Sequence, residues 1–179
     1  MIDDGEIQAV TPVVLGLLAL GPRSGYDIKA AVDRSTRFFW AASYGQIYPE
    51  LRRLEQEGLI EGEDAPNGAR SRRVYRLTAS GSKALQEWLL GPATVIEYRD
   101  ESLLRLFFAD SLPGAQALRL LEDRKRGHEE YLEVLRAIDA RPGTDPAFVD
   151  LVLRWGIDFN AWGASWCEKQ LHLLRKKAA

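Results

Sequence analysis

Two stretches of the sequence carry side chains suited to gripping a polyanion. In "RSRRVYR" four of seven residues are arginine, at 70, 72, 73 and 76, with no acid among them. Guanidinium groups at this density suit phosphate, which they meet through planar, charge-assisted hydrogen bonds. Upstream, "SYGQIYPELRRLEQEGLI" (43–60) offers Gln46, Arg52 and Arg53, donors that fit base edges or phosphates. The net charge is −2 over 179 residues, so there is no global basic signal and a nucleic-acid reading rests on this local placement. Other chemistries lack their residues. The sequence has no glycine-rich phosphate loop and no nucleophile motif beside a histidine. Ser24 in "GPRSG" lies between helices, where it serves as a cap and not as a nucleophile elbow. His128, His172 and the single Cys167 show no metal-ligand spacing, and one cysteine forms no internal disulfide. No enzymatic activity, metal or cofactor is expected.

The arginines and the glutamine need elements to hold them. Thr11 before Pro12 is a helix-start signal, and the first helix is expected to run to about Leu20. Ser24 caps a second helix carrying Tyr26, Ile28, Ala31 and Val32 and ending near Thr36. Ser43 caps a third, with Ile47, Leu51 and Leu54 as its buried stripe and Gly58 as its stop. "LIEGED" and "RRVYRL" read as the strands of a hairpin around "APNGARS", and Thr78 caps a fourth helix that Gly91 and Pro92 close. Three helices, a hairpin and a helix make the winged helix-turn-helix plan, whose third helix is offered to the DNA major groove.

Pro49 within that third helix deprives the Gly45 carbonyl of its partner, a loss of ~3 kcal/mol in a helix interior. Close to the N-terminus a loosened or 3₁₀ turn absorbs part of it. With Ile47 as the core direction and ~100° per residue, Pro49 points almost directly outward, near Gly45, Arg52 and Gln56.

Beyond about residue 93 the pattern is wholly helical. In the last helix Phe148, Val152, Trp155, Phe159, Trp162, Trp166 and Leu173 follow steps of three and four, with Lys169 the only polar residue on the seam. The preceding helix has a weaker seam through Leu121, Tyr131, Leu135 and Ile138. Such a stripe serves a dimer interface or the core of a helix pair, and its tryptophans could also border a cavity for an aromatic molecule. The longest apolar run, 13–20, is too short to span a bilayer, and the acidic opening "MIDDGEIQAV" is unlike a secretory signal. A cytoplasmic protein without membrane attachment is expected.

Three motifs carry a family resemblance. "GYDI" (25–28), "GQIYPELRRLEQEGLI" (45–60) and "RRVYRLTASG" (72–81) occur in the order found in PadR-type transcriptional regulators, which the chain resembles over about residues 10–90. The fold that the resemblance implies is mainly α: a winged helix-turn-helix DNA-binding domain (1–92) followed by an all-helical dimerisation domain (93–179) of the long subgroup. It also implies a homodimer bound to an approximately palindromic operator in double-stranded DNA, usually a repressor released by a small-molecule effector. Mapped onto this chain, Tyr44, Gln46, Tyr48, Pro49 and Arg52 belong to the groove-facing helix, and Arg70, Arg72 and Arg73 to phosphates or the minor groove. Trp155, Phe159, Trp162 and Trp166 are the candidates for dimerisation or effector contact. The competing expectation is a winged-helix module that binds only proteins. The wing arginines count against it, because the sequence shows no structural task for them.

Overall fold

The computed structural model describes residues 4–67, 70–92, 99–140 and 146–178. The chain divides into two compact units, residues 1–95 and 96–179. The first contains α1 (Asp4–Ala19), β1 (Arg23–Ser24), α2 (Gly25–Arg34), a 3₁₀ turn (Thr36–Phe38), α3 (Tyr44–Gln56), β2 (Ile60–Asn67), β3 (Arg70–Leu77) and α4 (Ala79–Leu90). Its sheet is antiparallel in the order β1-β3-β2, with Ser24 opposite Val74 and Asp64 opposite Arg73. Val14 and Leu18 of α1, Ile28 and Val32 of α2, Ile47, Leu51 and Leu54 of α3, and Ile60 and Tyr75 of the sheet share one buried core.

Three local expectations change. The first helix begins well before Thr11, which is no cap: its hydroxyl donates to Glu50 and accepts from Arg53 Nη2 at 3.1 Å. Pro12 sits inside that helix. β2 runs on through Ala65, Pro66 and Asn67, and β3 already begins at Arg70, so pairing extends further into "APNGARS" than its proline and asparagine suggested. Pro66 is accommodated because β2 is an edge strand, where a missing donor is tolerated. Arg23–Ser24, read as linker and cap, adds a third strand. Ser24 still caps α2, in a reciprocal box with Asp27, and Thr78 caps α4.

The second unit comprises α5 (Glu101–Phe107), a 3₁₀ turn (Ala109–Ser111), α6 (Gly114–Asp139) and α7 (Ala147–Ala178). α6 and α7 pack along each other. Leu121 of α6 with Cys167 and Leu171 of α7 form a buried cluster, and Leu106 of α5 packs against it. Asp100 caps α5 and is held by Arg124 of α6 at 2.8 Å.

Candidate nucleic-acid interface

The placement of α3 follows from its ends and its stripe. At the start, the carboxamide oxygen of Gln46 accepts from the Ser43 N–H at 2.9 Å and the Ser43 hydroxyl at 3.0 Å. The Ser43 carbonyl accepts from both Gln46 and Ile47, a bifurcated bond of the kind common at helix ends. At the end, Gly58 has φ +69°, its N–H donates to the Glu55 carbonyl, and the Leu59 N–H donates to that of Leu54, a Schellman stop. Ile47, Leu51 and Leu54 are fully buried, and so is Glu50. Glu50 is neutralised by Arg53, whose Nε and Nη2 lie 2.9 and 2.7 Å from its oxygens. That carboxylate, with Glu57, raises the Arg53 guanidinium further above its already high pKa.

The outer face is rotated from the sequence expectation. Tyr44, Tyr48, Arg52 and Gln56 are exposed and, at four-residue spacing, form one row along the helix. Pro49 is half-buried instead of pointing straight out, as are Gln46 and Arg53 on its flank. The cause is Glu50, which extends the buried arc toward that flank and ties Arg53 to it and to Thr11 of α1. Arg53 is therefore a structural residue and not a free donor. Gln46 serves its own helix cap, a task that the Ser-x-x-Gln spacing signals in the sequence. The rings of Tyr44 and Tyr48 stack at 6.1 Å, and Lys29 Nζ of α2 lies 5.6 Å from the Tyr44 ring. A β-carbon at Gly25 would sit 2.7 Å from Tyr48 Cε1, so the glycine of "GYDI" is what lets the Tyr48 ring pack on α2.

Arg72 and Arg73 do have structural tasks, which corrects the reading that they have none. Arg72 pairs with Asp27, the acid that also closes the Ser24 capping box. Arg73 reaches Glu55 of α3 at 2.5 Å and Asp64 across the hairpin at 3.3 Å, and the Glu55 bond raises its pKa. Gly62 leaves room for that pair, since a β-carbon there would lie 2.7 Å from both Arg73 Nε and Glu55 Oε1. Arg76 pairs with Glu63 at 2.7 Å. The signal was present in "EGED", whose acids the hairpin register sets against "RSRRVYR". Arg70 stands in β3 opposite Asn67, and its side chain lies outside the described residues. Among the described side chains of Arg52, Arg53, Arg72, Arg73 and Arg76, that of Arg52 alone makes no hydrogen bond or ion pair.

In the second unit the aromatic stripe is not the helix-pair core. Phe148, Val152, Trp155, Trp162, Trp166 and Leu173 are exposed, and Phe159 is half-buried between Trp155 at 5.3 Å and Trp162 at 6.4 Å. α6 packs instead on a seam of smaller residues: Gly156, Asn160, Gly163, Cys167 and Leu171, again at steps of three and four. Space decides this. A β-carbon at Gly156 would lie 3.1 Å from Leu135, and one at Gly163 would lie 2.7 Å from the His128 ring, so these glycines let α6 approach closely. His128 Nδ1 meets Asn160 Oδ1 at 3.0 Å and its ring abuts Phe159, which makes it a packed residue. On α6, Leu121 and Leu135 are buried as expected, whereas Tyr131 is exposed and Leu132 takes the inner position. Cys167 is buried, and burial pushes its thiol pKa up, which suits packing and not redox chemistry.

A helix carried on a compact three-helix core, with a two-stranded wing beside it, defines a winged helix-turn-helix unit. Residues 14–87 match the transcriptional regulator PadR-like family, and residues 98–175 match the virulence activator alpha C-terminal family. The chain is 30% identical over 174 residues to the negative transcriptional regulator PadR of Bacillus subtilis, covering 91% of this chain and 96% of that one. The solved structure of Bacillus subtilis PadR in complex with operator DNA superposes with a TM-score of 0.81 at 30% identity, over 92% of this chain and 98% of that one. The same protein in complex with p-coumaric acid gives 0.78 at 29% identity, over 98% and 99%. The chain belongs to the PadR-like family of transcriptional regulators. No described helix is long and apolar enough to cross a membrane.

Proposed function

We propose that this regulator is a homodimeric, sequence-specific DNA-binding repressor that a small molecule releases from its operator. The observation that carries this reading is the outward row of α3, in a chain that superposes on Bacillus subtilis PadR solved with operator DNA. Residues 1–92 act as the DNA-binding domain, with Tyr44, Gln46, Tyr48, Pro49 and Arg52 entering the major groove of one half-site. Arg70, Arg72 and Arg73 face the backbone or the minor groove. For Arg72 and Arg73 this means exchanging Asp27 and Glu55 for phosphate, which couples the wing position to DNA. Residues 93–179 provide dimerisation, and Trp155, Phe159, Trp162 and Trp166 make the dimer contact or border the effector site. The Bacillus subtilis structure with p-coumaric acid supports a small-molecule signal here. The protein acts in the cytoplasm and without catalysis.

The paired wing arginines favour a second reading, a winged-helix module for protein partners, because they no longer demand phosphate. In-vitro selection of random duplex DNA by the full-length protein, at fixed near-physiological salt, separates the two. The expected product is an inverted repeat with half-sites about one helical turn apart, or a multiple of it. Recovery of no motif, with weak binding at low salt only, would favour the protein partner.

A further inference from the structure

We infer that the row Tyr44, Tyr48 and Arg52 sets operator sequence, the two rings reading thymine methyl groups and Arg52 reading a guanine. The inference rests on the DNA-binding reading above and gives it base identities. Tyr44 and Tyr48 are the first two members of the exposed row, 45% and 41% exposed. Each is braced on α2, Tyr44 by Lys29 and Tyr48 by Gly25, and the rings stack on each other. Their rotamers are thus already fixed before a ligand arrives, which lowers the entropy lost on contact. Among the described residues, Arg52 is the third member and keeps its guanidinium fork open, while its neighbour Arg53 is consumed by Glu50 and Glu57.

The chemistry of the groove matches this order. The C5-methyl of thymine is the apolar group that the major groove presents, and an aromatic ring buries it without needing a hydrogen bond. The O6 and N7 acceptors of guanine match a free guanidinium fork. Tyr44 to Arg52 spans eight residues, about 12 Å of helix at ~1.5 Å per residue. At ~3.4 Å per base step along one strand, the thymines and the guanine lie within about four base pairs of each other.

The test uses the full-length dimer and the inverted repeat obtained by selection. Each thymine of a half-site is replaced in turn by deoxyuridine, which removes the methyl and keeps the pairing, and each guanine by 7-deazaguanine, which removes N7. At least one deoxyuridine should weaken binding about fourfold per half-site, the ratio equivalent to ~0.8 kcal/mol for one buried carbon. Tyr44→Ala or Tyr48→Ala should abolish that penalty, and Arg52→Ala should abolish the 7-deazaguanine penalty. Tyr48→Ala also opens a gap over Gly25, so Tyr44→Ala and the deoxyuridine scan of the unaltered protein decide independently of it. A half-site insensitive to every deoxyuridine, or a penalty that persists in both tyrosine variants, overturns the inference and leaves DNA binding standing. Failure to select any motif removes the DNA reading itself and this inference with it.

Discussion

The Cα of Gly81 lies so close to Leu59 that a β-carbon on it would sit 1.9 Å from the Leu59 carbonyl oxygen. That oxygen is also the acceptor for the Thr78 N–H at 3.2 Å and the Thr78 hydroxyl at 3.0 Å. The first turn of α4 is thereby clamped onto the link between α3 and the wing. Gly81→Ala must push backbone against backbone, and overpacking of this kind costs ~1–3 kcal/mol or more. The urea midpoint should fall accordingly. Gly127, within α6 with nothing within 4 Å of its would-be β-carbon, is the control: Gly127→Ala should gain up to ~1 kcal/mol of helix propensity.

The pair beneath α3 should respond asymmetrically to its two deletions. Arg53→Ala leaves the fully buried Glu50 carboxylate with Thr11 alone, a loss of ~3 kcal/mol. Glu50→Gln leaves Arg53, which is partly exposed, free to keep Glu57 and water, and should cost ~1 kcal/mol. Denaturation of both variants gives the order, and the reverse order would mean that the arginine carries the buried charge.

Acid should destabilise the second unit through Asp100. Burial disfavours its ionised form, but Ser102, the Leu103 N–H and Arg124 outweigh that and hold the carboxyl well below the ordinary value of 3.8. A folded-state pKa below the unfolded one gives stability that is complete above the unfolded value and is lost as pH falls below about 4 toward the folded value. Asp100→Asn should lower stability at pH 7 by ~2 kcal/mol and flatten the acid limb of the stability curve. A limb of unchanged steepness would assign the acid response to other carboxylates.

The caps and stripes of the first unit were legible because they depend on neighbours in sequence. Ser24, Ser43, Gly58 and Thr78 each mark the end that they make, and Ile47, Leu51 and Leu54 mark the inner face of α3. What the pattern hid depends on long-range partners. Glu50 looks like a surface acid until Thr11 and Arg53 meet it, and with it the outward direction of α3 turns away from Pro49. In α7 a search for large apolar residues selects the tryptophans, whereas close packing selects Gly156 and Gly163 for their lack of a side chain. Two stripes coexist on that helix, and volume decides which one α6 takes.

The stripe left outside α7 should govern association. Trp155 and Trp162 are 61% and 62% exposed and touch the Phe159 ring on their own helix, so Trp155→Lys with Trp162→Lys gives up those ring contacts but leaves the buried seam with α6 intact. Two buried interface tryptophans are each worth ~2 kcal/mol or more, so the dimer dissociation constant should rise at least a hundredfold. Sedimentation velocity should show a monomer of unchanged helicity. A dimer of undiminished stability would place the interface elsewhere.

Gln46 separates capping from recognition in one substitution. Its carboxamide oxygen holds the Ser43 N–H and hydroxyl, and glutamate fills that place in a capping box at least as well, with the helix dipole in its favour. Gln46→Glu should therefore leave the melting temperature unchanged or slightly raised. On DNA the same change removes the amide donors and sets a negative charge against phosphates and base acceptors. Specific binding should fall by ~2 kcal/mol or more, about thirtyfold, if Gln46 faces the groove as proposed. The salt slope should change little, because no phosphate-bound cation is removed. Titration of the selected operator with the variant at two salt concentrations reads both quantities, and unaltered affinity with an intact fold would confine Gln46 to its cap.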